Sequence, residues 1–248
     1  MRITIKNEKE LDLMRQAGKI LSDTLKMIES NIYVGQTTNK LNQLAYDYII
    51  SKGATPSFLG YDGFPYSICA SKNSEVVHGF CDDVPLKDGD IISIDCGVCY
   101  KGYQSDAART FPVGNVSDCV LNLIEVTKQS FFEGIKDVKA GCKLGNISHK
   151  IQVCLENSGY GVVRELVGHG IGTELHEDPM VPNYGPFNSG IILQEGMTLA
   201  IEPMSTLGRR NVVLASNGWT VETEDGLPSA HYENTVIVTS DGIEILTL

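Results

Sequence analysis

The sequence predicts an α+β fold built from two pseudo-symmetric halves, and three observations lead there. Residues 87–95 (Lys-Asp-Gly-Asp-Ile-Ile-Ser-Ile-Asp) and 194–202 (Gln-Glu-Gly-Met-Thr-Leu-Ala-Ile-Glu) follow one design: a polar residue, an acid, a turn glycine, and a short apolar run ending on a carboxylate. Residues 35–53 align with 141–159 at an offset of 106, which brings Leu41 onto Ile147, Ala45 onto Ile151 and Ile49 onto Leu155 at helical spacing, while Asp95 and Glu202 are offset by 107. Two blocks in the same order at nearly the same offset mark a duplicated domain, because solenoid repeats are far shorter. Finally, 248 residues at 42% hydrophobic can bury a sizeable core, and no linker or low-complexity tract divides them. The chain therefore reads as one domain over residues 1–248, with halves near 1–115 and 116–248.

Along the chain, Asn7-Glu8-Lys9-Glu10 is a cap-like start to a helix whose Met14, Ala17, Gly18, Leu21, Leu25 and Ile28 share a face. A second helix spans residues 38–51 and ends at Gly53. Residues 54–80, rich in Gly, Pro, Ser and Tyr, form a loop with short strands. Residues 91–100 and 103–113 read as two strands joined near Lys101-Gly102, a β-hairpin. The second half supplies helices at 117–138 and 146–157, then strands at 162–167, 197–202 and 234–238.

Composition narrows the function. A net charge of -11 without a basic stripe argues against nucleic-acid binding. No stretch approaches the ~20 apolar residues of a membrane span, and the start lacks a signal core. Seven cysteines without framework spacing suit a reducing, cytoplasmic setting. Cys96 and Cys99 form a C-x-x-C, but inside an apolar run and without a second pair, so core packing is expected there.

The acids carry chemistry. An ionised carboxylate leaving an apolar strand is costly to bury unless it is paired, hydrogen-bonded or bound to a cation. On the hairpin, Asp95 and Asp106 fall on one face, opposite or diagonal, with Cβ atoms roughly 5–8 Å apart. Either one holds a proton or a cation sits between them. The second half repeats the arrangement with Glu202 and Glu233, which pairs four acids two by two. Nitrogen ligands are offered by His169 and His176 in residues 168–179, where glycines flank His169 and imply uncrowded backbone, and by His78 in the first half's loop. The histidines are seven apart, so this is not an H-E-x-x-H helix.

Over nearly its whole length the chain resembles the type I methionine aminopeptidases, members of the pita-bread metallopeptidases. The family's ordered ligands Asp, Asp, His, Glu, Glu match Asp95, Asp106, His169, Glu202 and Glu233. Their contexts match too: Gly-Tyr before Asp106 and Arg-Thr-Phe after it, Gly-His-Gly-Ile-Gly at His169, Ile-Glu-Pro at Glu202, and Ser-Ala-x-x-Glu-x-Thr at Glu233. The resemblance implies a central antiparallel sheet flanked by helices and two divalent ions, of Mn, Fe(II), Co or Zn. Asp95 would hold one ion and His169 with Glu202 the other, with Asp106 and Glu233 bridging. It implies that Glu202 takes a proton from the attacking water, that His78 and His176 contact the peptide, and that Tyr61, Phe64, Cys69 and Trp219 line the methionine pocket. It also implies a monomer acting on peptide or nascent-chain N-termini, with transient ribosome association. The chain departs from the family pattern at Leu175 (usually Phe), Cys81 (usually Pro), Asn234 (usually His) and His231 (commonly Gln). Two other readings share the fold: a proline-directed aminopeptidase P or prolidase, which usually carries an extra N-terminal domain, and a non-catalytic binding protein, which typically lacks ligands.

Overall fold

Helix α1 (Glu8–Glu29) begins on a capping box, in which the Asn7 side chain accepts from the Lys9 and Glu10 amides while the Glu10 carboxylate accepts from the Asn7 amide. Its predicted apolar face is buried, with Met14, Ala17, Leu21 and Ile28 fully enclosed. The computed structural model describes residues 3–248. Helix α2 (Thr38–Ser51) buries Leu41, Ala45 and Ile49 and gives way at Gly53, whose φ of 70° suits a residue without Cβ. The expected loop region holds β1 (Thr55–Pro56), a 3₁₀ turn at Tyr61–Gly63, β2 (Ile68–Lys72) and β3 (Glu75–Val77). Strands β4 (Ile91–Tyr100) and β5 (Tyr103–Pro112) form the hairpin, closed by Lys101 and Gly102 at φ 49° and 84°, the left-handed pair that a two-residue turn between twisted strands requires.

The second half opens with α3 (Asp118–Ile135) and α4 (Gly145–Asn157), followed by β6 (Gly161–Val162), β7 (Gly168–Gly170), β8 (Glu177–Val181), β9 (Thr198–Ile201) and β10 (Met204–Thr206). Strands β11 (Val212–Leu214), β12 (Val221–Thr223), β13 (Ser229–His231), β14 (Asn234–Val238) and β15 (Ile243–Ile245) complete it. One sequence expectation is corrected here. Residues 162–167 are not a continuous strand, because β6 belongs to the sheet β13-β10-β6 whereas β7 belongs to β15-β14-β9-β7-β8. The chain crosses between the two sheets over residues 163–167, so an apparent strand is the ends of two.

Strand β4 pairs with β5 on one side and with β2 and β1 on the other, all antiparallel. This first-half sheet meets the five-stranded second-half sheet where β5 faces β14. Thr235 Oγ1 accepts from the Asp106 amide and donates to the Asp106 carbonyl, both at 2.8 Å, and the Glu233 amide donates to the Ala108 carbonyl at 2.9 Å. The two contacts sit at matching positions of the crossing strands but differ in kind, since Asp106 bonds the Thr235 hydroxyl whereas Glu233 bonds the Ala108 backbone. Helix α1 covers β4 and β5, while α3 and α4 cover the second sheet through Leu123, Ile147, Leu155, Leu199 and Val236. The helices thus lie outside, and the seam between the halves combines these polar contacts with apolar clusters that join Leu11, Met14 and Phe64 to Ile171, Ile237 and Leu246, and Val76 and Val77 to Val163 and Met204.

Candidate metal centre and its cavity

The register of the hairpin sets the first two acids. Asp95 pairs with Ala108 and Asp106 with Gly97, so the two carboxylates are diagonal on one face. In the second half Asn234 pairs with Ile201, and the Tyr232 amide donates to the Pro203 carbonyl at 3.1 Å, which puts Glu233 directly opposite Glu202 at a break in the ladder. His169 sits on β7 beside Ala200 of β9, and His176 immediately precedes β8. Contrary to the sequence expectation, the glycines around His169 mark crowding rather than space. A Cβ on Gly168 would stand 2.4 Å from the Ala200 carbonyl oxygen, and one on Gly170 2.1 Å from that of Asp178.

The donors converge. Asp106, His169 and Glu233 each offer a ligand atom within 4.8 Å of the others. His169 Nε2 is 3.9 Å from Asp106 Oδ2 and 3.8 Å from Glu202 Oε1. Such separations are too long for hydrogen bonds. They do match two donors sharing an ion, since ligands about 2.1 Å from one cation lie roughly 3–4 Å apart. His169 Nδ1 lies 2.8 Å from the Gly170 carbonyl, to which it donates, so Nε2 carries the lone pair. Asp95 Oδ1, Asp106 Oδ1 and Glu233 Oε1 are buried without partners. Among the described residues no Lys or Arg pairs with the four acids; Arg109 instead donates to the carbonyls of Ala108, Glu233 and Thr247 and to Asn234 Oδ1. Four clustered carboxylates, Asp106 and Glu233 buried and Asp95 and Glu202 half-buried, with no paired Lys or Arg, fit a divalent cation.

Electrostatics agree. Burial pushes Asp95 up to about 7. Burial and the neighbouring acids push Asp106 and Glu233 well up, and burial followed by Asp95 does the same to Glu202. Burial pulls His169 down to about 4 and His231 down to about 3, and it lowers His78 and His176. The centre therefore holds neutral imidazoles beside carboxylates that a cation would keep ionised.

These groups floor a cavity of about 340 Å³. All five sequence-derived ligands line it, as do His78, His176, Tyr61, Phe64, Cys69 and Trp219. Phe64 packs edge-on to Trp219, with ring centroids 5.3 Å apart, and forms an apolar wall. Tyr61 Oη lies 2.8 Å from His176 Nδ1, and the His176 ring tilts against His169 at 4.3 Å. His78 holds φ at 58°, a left-handed strain tolerated by few side chains, and its carbonyl accepts from Thr220 Oγ1. Sequence reasoning missed Phe58, Asp62, Val77, Leu166 and Val167, which also line the cavity. Leu175, noted only as a departure, is in its wall as well.

The model of metallopeptidase family M24 matches residues 12–240. The chain belongs to metallopeptidase family M24. Among M24 relatives, the methionine aminopeptidase of Clostridium acetobutylicum is 54% identical over 99% of both chains, and methionine aminopeptidase 1 of Bacillus subtilis is 49% identical over 99% of both. The crystal structure of methionine aminopeptidase from Rickettsia prowazekii superposes with a TM-score of 0.98 at 44% identity, covering all of both chains. An Xaa-Pro dipeptidase from Bacillus anthracis is more distant, with a TM-score of 0.79 and 26% identity, and this M24 chain spans 61% of its length. The fold is thus the pita-bread α+β fold, and as an M24 metallopeptidase the protein uses divalent metal. No helix among the described residues is long and apolar enough to cross a membrane. The C-x-x-C lies on β4, where Cys96 and Cys99 sit three positions apart and so on opposite faces, and all seven cysteines are free.

Proposed function

We propose that this chain is a metal-dependent aminopeptidase that removes the initiating methionine from peptides and new proteins whose second residue is small. The observation that carries this reading is the convergence of Asp95, Asp106, His169, Glu202 and Glu233 on the floor of one cavity walled by Phe64 and Trp219. Asp95, Asp106, His169, Glu202 and Glu233 would hold the divalent metal, which when bound would supply a water ionised at neutral pH and polarise the scissile carbonyl.

The protein's own groups do the rest. Glu202, half-buried at the cavity and unpaired with any Lys or Arg, takes the proton from the attacking water and passes it to the leaving amine. Tyr61 donates its hydroxyl proton to His176 Nδ1, which leaves the second ring nitrogen as an N–H donor toward the peptide carbonyl. His78, pinned by its strained backbone, offers a second neutral donor. Phe64, Cys69 and Trp219 exclude water from the methionine side chain. Replacing Tyr61 by Phe removes one hydrogen bond, worth about 1 kcal/mol, so kcat is expected to fall about fivefold with fold and metal content unchanged. Steady-state kinetics beside metal analysis check this.

With Mn(II) or Co(II), the purified protein is expected to release Met from Met-Ala-Ser and none from acetyl-Met-Ala-Ser, because an aminopeptidase requires the free α-amine that acetylation removes. Preferential release of Xaa from Xaa-Pro peptides would transfer the assignment to the proline-directed reading. Free thiols throughout suit a reducing compartment, and the proposal places the enzyme in the cytoplasm as a monomer in passing contact with ribosomes.

A further inference from the structure

His231 is 2% exposed, and both of its ring nitrogens are buried without a partner. An imidazole so enclosed is costly unless something completes its hydrogen bonds. Its backbone is clamped, with the amide donating to Thr110 Oγ1 at 2.9 Å and the carbonyl accepting from the same hydroxyl at 3.0 Å, so the ring has little freedom to move elsewhere. Its Nε2 points at the two second-half acids, 3.7 Å from Glu233 Oε2 and 3.9 Å from Glu202 Oε2.

The remaining oxygens of those acids are not engaged by His231. Glu202 Oε1 lies toward His169, and Glu233 Oε1 is the partnerless atom. Glu202 therefore has one oxygen toward His169 and one toward His231, and Glu233 has one toward His231 and one left unpaired. We propose that His231 is a positioning residue: its Nε2–H, now 3.7 Å from Glu233 Oε2 and 3.9 Å from Glu202 Oε2, closes to a hydrogen bond with Glu233 Oε2, or with Glu202 Oε2 instead, when the centre is loaded, and so holds the opposite oxygens for the metal. The inference rests on the metallopeptidase reading. It goes beyond that reading by giving a buried residue outside the ligand set a role in holding the ligands, one that a Gln amide could also fill by donating from a similar reach.

The test measures Mn(II) binding by titration calorimetry for wild type, His231→Ala and His231→Gln, together with kcat and KM on Met-Ala-Ser at saturating metal. His231→Ala is expected to bind Mn(II) about 10- to 100-fold more weakly and to lose kcat with KM nearly unchanged, as losses of groups that orient metal ligands do. His231→Gln should return to within about threefold of wild type, a rescue that a merely space-filling role would not produce. Should His231→Ala fail to fold, the wild-type Zn(II) protein with ¹⁵N-labelled histidine decides: a protonated Nε2 on His231 supports the proposal, and an unprotonated Nε2 overturns it. Wild-type affinity in His231→Ala, or a His231→Gln as impaired as the alanine variant, also overturns it. A wild type that binds no divalent ion removes the functional reading too, whereas one that binds and cleaves beside an unimpaired His231→Ala removes this inference alone.

Discussion

Asp106→Asn is expected to abolish turnover, by about a thousandfold or more, and to strip divalent metal from the protein while leaving it folded. Asp106 is 4% exposed, has one oxygen 3.9 Å from His169 Nε2 and the other without a partner, and is diagonal to Asp95. An amide keeps the shape but loses the charge that could span two cations, and the several kcal/mol of carbonyl polarisation and water ionisation go with it. The backbone contacts of Asp106 to Thr235 do not involve the carboxylate, so the seam between the halves persists. The sharper consequence concerns the metal-free state. Removing one of four crowded acids should raise the melting temperature of metal-free Asp106→Asn above that of the metal-free parent at pH 8. A variant that keeps its turnover and its Mn(II) content would contradict the bridging role, and a lower melting temperature would contradict the account of repulsion.

The second large effect is the pH dependence of the metal-free protein. Burial raises the folded-state pKa of all four acids, to about 7 for Asp95. The folded chain then holds protons that the unfolded chain has released. That stability is full below about pH 4 and is lost as pH rises through the folded values, at about 1.4 kcal/mol per pH unit for each proton retained. The buried histidines work in the opposite sense: their lowered values make stability rise with pH up to the unfolded value near 6.5. The two trends offset one another between about pH 4 and 6.5, and above that the acids act alone. Metal-free protein should therefore melt at falling temperature above pH 6.5, by roughly 4 °C per pH unit for each acid still protonated. Saturating Mn(II) should abolish the decline, because the cation replaces the protons. Melting curves from pH 5 to 9, with and without Mn(II), decide this, and parallel curves would count against a metal centre.

Much of this was legible in the sequence because the informative residues sit in strongly patterned segments. The hairpin shows in two strand-like runs joined at Lys101-Gly102, and a two-residue turn there already puts Asp95 and Asp106 on one face, opposite or diagonal, which the register settles as diagonal. Glu202 and Glu233 were readable by the same logic, since Asn234–Val238 is a short apolar strand with its acid just outside. Less was legible where tertiary structure decides. The split of residues 162–167 between two sheets depends on which strands lie nearby, and local alternation does not report that. The glycines around His169 suggested room, but the close approach of Ala200 and Asp178 that requires them is visible only once β7, β8 and β9 are side by side. Leu166, Val167 and Val77 reach the cavity from loops or strand ends, with no periodic signal beyond their adjacency to His169 and His78. His231 showed in the sequence only as an unusual residue, and its significance came from two unpaired nitrogens aimed at two acids.

The most direct test of the central claim is anomalous diffraction from crystals of the protein grown with Mn(II). Two peaks about 3.5–4 Å apart, one touching Asp95, one touching His169 and Glu202, and both touching Asp106 and Glu233, are predicted. Density elsewhere, or these five side chains turned away from any ion, would contradict it.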